Sequence, residues 1–203
     1  MSARAETTII GAMAAGSEYA RAIRAAAALF MIALTAAAAQ ISFPIPGTAV
    51  PFTLQPMIVI LAGAALGSKL GAASQFAYLM IGIAGLPVFA ASPILPQGAA
   101  RLLGPTGGYL MAYPIAAFVT GLLAERGFNR RLSTSIASML AGVAVIYAGG
   151  LSWLAGVHTG TWSLAIAAGA APFLLADIFK AILAAAALKM GTGLFSGPVD
   201  REK

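Results

Sequence analysis

Six long stretches of this chain hold almost nothing but apolar residues, and that pattern removes most folds from consideration. They cover residues 22–42, 52–67, 70–86, 107–124, 132–155 and 172–190, and four of the six contain no Asp, Glu, Lys or Arg. A helix needs about 20 apolar residues to cross the hydrocarbon core of a bilayer. Soluble domains carry roughly 25% charged residues, whereas only 9% of these 203 are charged and 60% are hydrophobic. Mean hydropathy is +0.91. The expected fold is therefore an all-α membrane protein, a compact bundle of six transmembrane helices. Residues 21–190 form the bundle, residues 1–20 a cytoplasmic lead-in and residues 191–203 a cytoplasmic tail.

Orientation follows from the basic residues. In a six-span arrangement Arg4, Arg21, Arg24, Lys69, Arg126, Arg130, Arg131, Lys189, Arg201 and Lys203 share one side, Arg101 lies on the other, and Lys180 falls inside a span. Lys and Arg concentrate in cytoplasmic loops, so both termini are expected in the cytoplasm and the protein in the plasma membrane. The net charge of +6 is then topological. A nucleic-acid surface would need clustered basic residues with exposed aromatics on a soluble face, and the sequence offers none. There is no cysteine, hence no disulfide framework or thiol chemistry. The first 20 residues include Glu6 and Glu18 and lack the charged, apolar and cleavage regions of a removable leader.

The connections differ by side. Those on the basic side are short. On the other side, residues 43–51 hold three prolines and a glycine, residues 87–108 are rich in both, and residues 156–171 contain His158 and Trp162. Prolines fix an extended, stiff path in place of a helix, and long ordered loops on one face commonly carry function.

Asp177 and Lys180 are the sharpest local feature. They stand three residues apart in an apolar helix, which puts them on one face, and ionisable groups inside a span are by default a functional site with each other as partner. Pro172 suits the first turn of that helix. A helix beginning there sets both residues in the outer half of the membrane. Two readings stay open: a ligand site, or an ion pair that only holds helices together.

The string Gly104-Pro-Thr-Gly-Gly-Tyr109 reads as a tight turn feeding a helix, with Thr106 placed to cap it. With Pro51-Phe-Thr-Leu-Gln55, Gly85-Leu-Pro-Val-Phe-Ala90 and the Asp177–Lys180 helix, it resembles the BioY family over nearly the whole chain, from about Arg21 to Met190. Leu175-Ala176 departs from the Pro-Gly common in that family before the acid, and residues 91–96 from its glycine-rich run. The resemblance implies a six-helix, biotin-specific S component of an energy-coupling-factor transporter. Such a subunit captures biotin from outside and is energised by a membrane coupling protein and two cytoplasmic ATPases. An autonomous transporter of biotin or a related metabolite, and a purely structural membrane protein, are the alternatives.

Asp177 can accept from the ureido N–H groups of biotin, and Lys180 can donate to a carbonyl or carboxylate. Tyr109 and Gln55 are further polar candidates, each equally at home at a membrane interface. Arg101, the lone cation of its side, suits a carboxylate. Phe89 and Trp153 are candidate apolar walls; Phe52 and Trp162 share that character and suit lipid anchors as well. No metal or other cofactor is expected, since His158 stands alone. No catalytic set is present either. Gly63-Ala-Ala-Leu-Gly-Ser-Lys69 lacks the spacing and the Ser/Thr of a phosphate loop, so the chain carries no ATPase. Ala22, Ala26, Ala33 and Ala37 recur at helical spacing on the first helix, allowing close approach of another helix; in S components this helix contacts the coupling protein. Internal packing would use the same residues.

Overall fold

The computed structural model describes residues 8–14, 17–92 and 96–195. Arg4, Arg201 and Lys203, residues 1–7 of the expected lead-in and most of the expected tail lie outside the described residues. The described residues are mostly helical: α1 (Ile9–Ala14), α2 (Ala20–Gln40), α3 (Gln55–Leu66), α4 (Ser68–Ile83), α5 (Ala100–Leu103), α6 (Gly107–Glu125), α7 (Leu132–Trp153), α8 (Trp162–Gly169) and α9 (Leu174–Phe195). Two residues each of β1 (Ser42–Phe43) and β2 (Phe52–Thr53) pair antiparallel, Ser42 with Thr53 and Phe43 with Phe52. The proline-rich stretch 43–51 is thus the loop of a hairpin, turned by Gly47 at φ +83°.

Among the described residues three helices are long and apolar enough to cross a membrane: Ala20–Gln40, Gly107–Glu125 and Leu132–Thr159, the last including a π-helical turn. The bent pair Trp162–Gly169 and Leu174–Gly191 makes a fourth when taken as one span broken by 54°. Two expected spans are shorter than a straight crossing requires. Helix α3 has 12 residues and α4 has 16, or about 18 and 24 Å at 1.5 Å per residue.

The last span also differs from expectation. Residues 156–171, read as a loop, contain α8, and Pro172 lies in the break instead of opening α9. Its missing N–H explains the break: Ala170 and Ala171 both donate to the Ile166 carbonyl, and Phe173 and Leu174 both donate back to Ala170. Helix α9 then starts at Leu174, so Asp177 stands in its first turn, where the helix dipole favours a carboxylate.

Helix α6 is the hub, packed against α3, α4 and α7, while α9 packs on α7 and α3. The packing depends on small residues. A Cβ at Gly63 would collide with the Ala117 carbonyl, and one at Gly108 with the Trp153 side chain. Helices α3 and α4 meet at Gly67, whose φ of +87° turns the chain in one residue. The Glu125 carboxylate accepts there from Ser68 N (2.7 Å) and Oγ (2.9 Å), capping α4 from a neighbouring helix. The glycine-rich string 63–69 is this corner. Large apolar side chains such as Leu29, Phe30, Phe76, Ile115, Phe179 and Leu183 face outward, the exterior a bilayer requires. Because α3 and α6 touch backbone to backbone, Gly63→Ala is expected to destabilise the protein by about 1–3 kcal/mol. Thermal melting of the detergent-purified variant measures this, and an unchanged melting temperature would refute so close a contact.

Candidate functional site

The break before α9 delivers Asp177 and Lys180 to the interior. Their side chains meet at 2.7 Å (Lys180 Nζ to Asp177 Oδ1), and the residues are 7% and 5% exposed. Lys180 also donates to the Thr53 carbonyl at 2.7 Å and sits 3.8 Å from the centroid of the Phe52 ring, a cation–π geometry. The second carboxylate oxygen, Oδ2, accepts from the Tyr147 hydroxyl at 2.6 Å. The pair thus ties α9 to α7 and to the β-hairpin. Two charges so deep are tolerable only when hydrogen-bonded as well as paired, and these are.

A pocket opens beside the pair, with about 630 Å³ of space between atoms, part of it continuous with the outside. Gln55, at the start of α3, lines it and donates to the Tyr78 hydroxyl at 2.6 Å; Tyr78 in turn donates to the Val88 carbonyl at 2.9 Å. Phe89 lines it too, its ring packed edge-on to Tyr78 at 5.8 Å and seated where a Cβ on Gly82 would be. Arg101, only 1% exposed, donates through Nε to Pro96 O at 2.7 Å and through Nη2 to Ala90 O. Burial lowers its pKa from the ordinary value, a value so high that the guanidinium stays charged at neutral pH. Tyr109 contributes its ring, edge-on to Tyr147 at 6.4 Å, and donates to the Gly169 carbonyl at 2.9 Å.

Six of the seven residues singled out from the sequence, Asp177, Lys180, Tyr109, Gln55, Arg101 and Phe89, therefore line one pocket. Trp153 does not. It stands behind the glycine turn, donating from Nε1 to the Gly104 carbonyl at 3.0 Å, with His158 at 6.5 Å between ring centroids. Phe52 lies under the Lys180 ammonium, and Trp162 is exposed. No metal-holding group of His, Cys, Asp or Glu occurs among the described residues. Sequence reasoning missed Tyr147, Tyr113, Thr53 and Phe173, which also line the walls. Tyr147 carried a usable signal, the lone hydroxyl between Met139 and Leu151, but Thr53 contributes through its backbone and gave none.

Chemically the pocket is an apolar chamber with one carboxylate, one ammonium and one guanidinium, a net +1. It suits a small, partly apolar, singly anionic molecule with N–H donors. Fold and pocket together define a multi-pass α-helical membrane protein with an internal pocket, concave and largely apolar like most small-molecule sites.

The BioY family model matches residues 9–195; the chain belongs to the BioY family. It is 46% identical over 157 residues to a probable biotin transporter BioY of Pyrococcus horikoshii, covering 77% of this chain and 88% of that one. It is 40% identical over 153 residues to the biotin transporter BioY of Thermotoga maritima, covering 75% and 86%. Among solved structures, the S-component for biotin from an ECF-type ABC transporter superposes with a TM-score of 0.79 at 27% identity, covering 88% of this chain and 95% of that one. The family is one of transporter components, and the chain is not an enzyme.

The buried pair makes a stability prediction independent of any ligand. Lys180→Met strands the Asp177 carboxylate and is expected to cost about 3–5 kcal/mol. Adding Asp177→Asn should recover much of that loss, so the double variant melts above the single one. Equal melting temperatures would mean that the pair is not energetically coupled.

Proposed function

We propose that this protein is the biotin-capture subunit of an energy-coupling-factor transporter, binding biotin in the Asp177–Lys180–Arg101 pocket from the outer side of the plasma membrane. The observation that carries the reading is the charge pattern: an internally neutralised Asp–Lys pair with a separate buried guanidinium. Biotin has matching groups, a ureido ring with two N–H donors and a carbonyl, an apolar thioether ring and a carboxylate. Asp177 accepts from the ureido N–H groups. Lys180, which has three N–H donors and uses two on Asp177 and Thr53, gives the third to the ureido carbonyl. Arg101 takes the carboxylate, Gln55 and Tyr109 supply the remaining polar contacts, and Phe89 packs on the ring. Trp153 acts from behind, through the turn. The names borne by the relatives, biotin transporters and a biotin S-component, support this choice of ligand.

In this reading residues 21–190 form the binding unit, with six crossings. Helices α3 and α4 each complete a crossing with the loop beside them, and α8 with α9 makes the sixth. The basic residues then lie inside with both termini, and the hairpin loop 43–51 closes over the pocket. Helix α2 supplies the docking face: Ala22, Ala26, Ala33 and Ala37 are all exposed, with Leu29 between them, a strip narrow enough for another helix to approach. The partner there is the membrane coupling protein, which links the subunit to cytoplasmic ATPases.

Isothermal titration of detergent-purified protein is expected to show tight biotin binding. Asp177→Asn or Lys180→Ala should weaken it on the order of 30-fold or more, the usual effect of breaking a buried charged contact. Wild-type affinity in both variants would sink the site assignment. Uptake of labelled biotin by cells with and without a coupling module tests the partner: uptake only with the module is expected, and equal uptake without it would make the protein an autonomous transporter.

A further inference from the structure

Three side-chain polar atoms among the described residues are buried with no hydrogen-bond partner: Thr106 Oγ1, Asn129 Oδ1 and Ser135 Oγ. Asn129 and Ser135 follow the far end of α6. Thr106 lines the pocket and is 8% exposed. A buried hydroxyl without a partner loses its hydration and gains nothing in return. Such a residue in a ligand pocket points to a partner that arrives with the ligand.

The local backbone explains why the protein itself does not satisfy it. Thr106 is the N-cap residue of α6, and a threonine there ordinarily accepts from an amide of the first turn, with its own backbone extended. Here Thr106 has φ −90° and ψ −4°, and its side chain makes no capping bond. The turn cannot relax toward the usual geometry. Gly104 O is held by the Trp153 indole at 3.0 Å, while Gly107 packs so close to the Leu102 carbonyl, and Gly108 to the Trp153 side chain, that neither has room for a Cβ.

Arg101 lies just before this turn and lines the same pocket. Its bonds to Pro96 and Ala90 use two of the five N–H donors of a guanidinium. The start of α6 borders the pocket through Tyr109 and Leu110, and a helix start favours negative charge. A hydroxyl donor, a cation and a helix N-terminus, close together in the chain, therefore line the same chamber.

We propose that Thr106, Arg101 and the first turn of α6 form a carboxylate subsite, in which the Thr106 hydroxyl donates to a carboxylate oxygen of the ligand. Thr106 is thus a specificity-determining residue that separates a free acid from its neutral amide. This rests on the biotin reading above and deepens it, by assigning the ligand's acid end to the glycine turn.

The discriminating variant is Thr106→Val, which keeps the shape and removes the hydroxyl. Unliganded, it is expected to melt at the same temperature as wild type or above it, because an unpaired buried hydroxyl is gone. Its affinity for biotin should fall on the order of tenfold, the scale of one hydrogen bond to a charged group. Its affinity for biotinamide should fall less, by about two- to threefold, because an amide carbonyl accepts only a neutral hydrogen bond. Thr106→Ser should retain the wild-type preference for the acid, and Thr106→Ala gives the same comparison if the valine variant does not fold. Wild-type affinity for biotin in Thr106→Val, or an equal loss for biotin and biotinamide, overturns the subsite. Wild-type protein that binds neither compound overturns the biotin assignment itself, which is a separate result.

Discussion

The Asp177–Lys180 pair sets the terms for the rest of the molecule. Two charges on one helix face inside an apolar bundle are costly to bury, and their mutual attraction offsets that cost only when their other hydrogen-bonding positions are filled. The structure fills them from three directions: Tyr147 of α7 on one carboxylate oxygen, the Thr53 carbonyl of β2 on the ammonium, and the Phe52 ring beneath it. The partners arrive on two segments, α7 and the β2 strand of the hairpin. Holding the pair therefore fixes the positions of α7, the hairpin and the start of α9 relative to one another.

Backbone irregularity gathers around the same place. The hairpin, the Gly104–Tyr109 turn and the break between α8 and α9 all contribute pocket residues, whereas the opposite end of α6 is regular helix packed through glycine and alanine. Non-helical backbone at membrane depth is tolerated only where protein buries it or a cavity borders it. Its carbonyls are also useful there. Thr53, Val88, Ala90, Pro96 and Gly169 each accept a hydrogen bond from a pocket side chain or its support. Loop backbone that a membrane helix would have to hide becomes the frame that orients Lys180, Tyr78, Arg101 and Tyr109.

Much of this was legible in the sequence, and the boundary of what was legible has a physical cause. Asp177, Lys180, Arg101 and Gln55 stand out because polar residues are scarce in such a chain and each must find a partner. Gly107 and Gly108 signal a turn because no other residue fits so close a backbone approach. Helix rotation is another matter. A soluble helix reveals its inner face by contrast with a polar outer one, but α7 carries no charged residue and, from Met139 to Leu151, no polar group besides Tyr147, so nothing in its periodicity shows that Tyr147 points toward Asp177 or that Trp153 points behind the turn. Helix α8 was hidden for a related reason, since Trp162–Gly169 is short, rich in alanine and flanked by turn residues. The lengths of α3 and α4 were obscured because Ala and Gly extend a hydropathy run without marking where helix gives way to loop.

The hydrogen-bond inventory of the pocket also says how a ligand must bind. Lys180 is already held by Asp177 and Thr53, Arg101 by two carbonyls, Tyr109 by Gly169, and Gln55 by Tyr78. These side chains do not need a ligand to order them, so little conformational entropy is left to lose on binding, and pre-organisation of this kind favours high affinity. What remains for a ligand is the unused capacity of groups already fixed: further donors on the ammonium and guanidinium, and lone pairs on the carboxylate. Thr106 differs, a buried hydroxyl within the pocket wall that the protein leaves unpaired. A pocket wall that pairs most of its polar groups internally, yet buries the Thr106 hydroxyl without a partner, gives up some stability at that position.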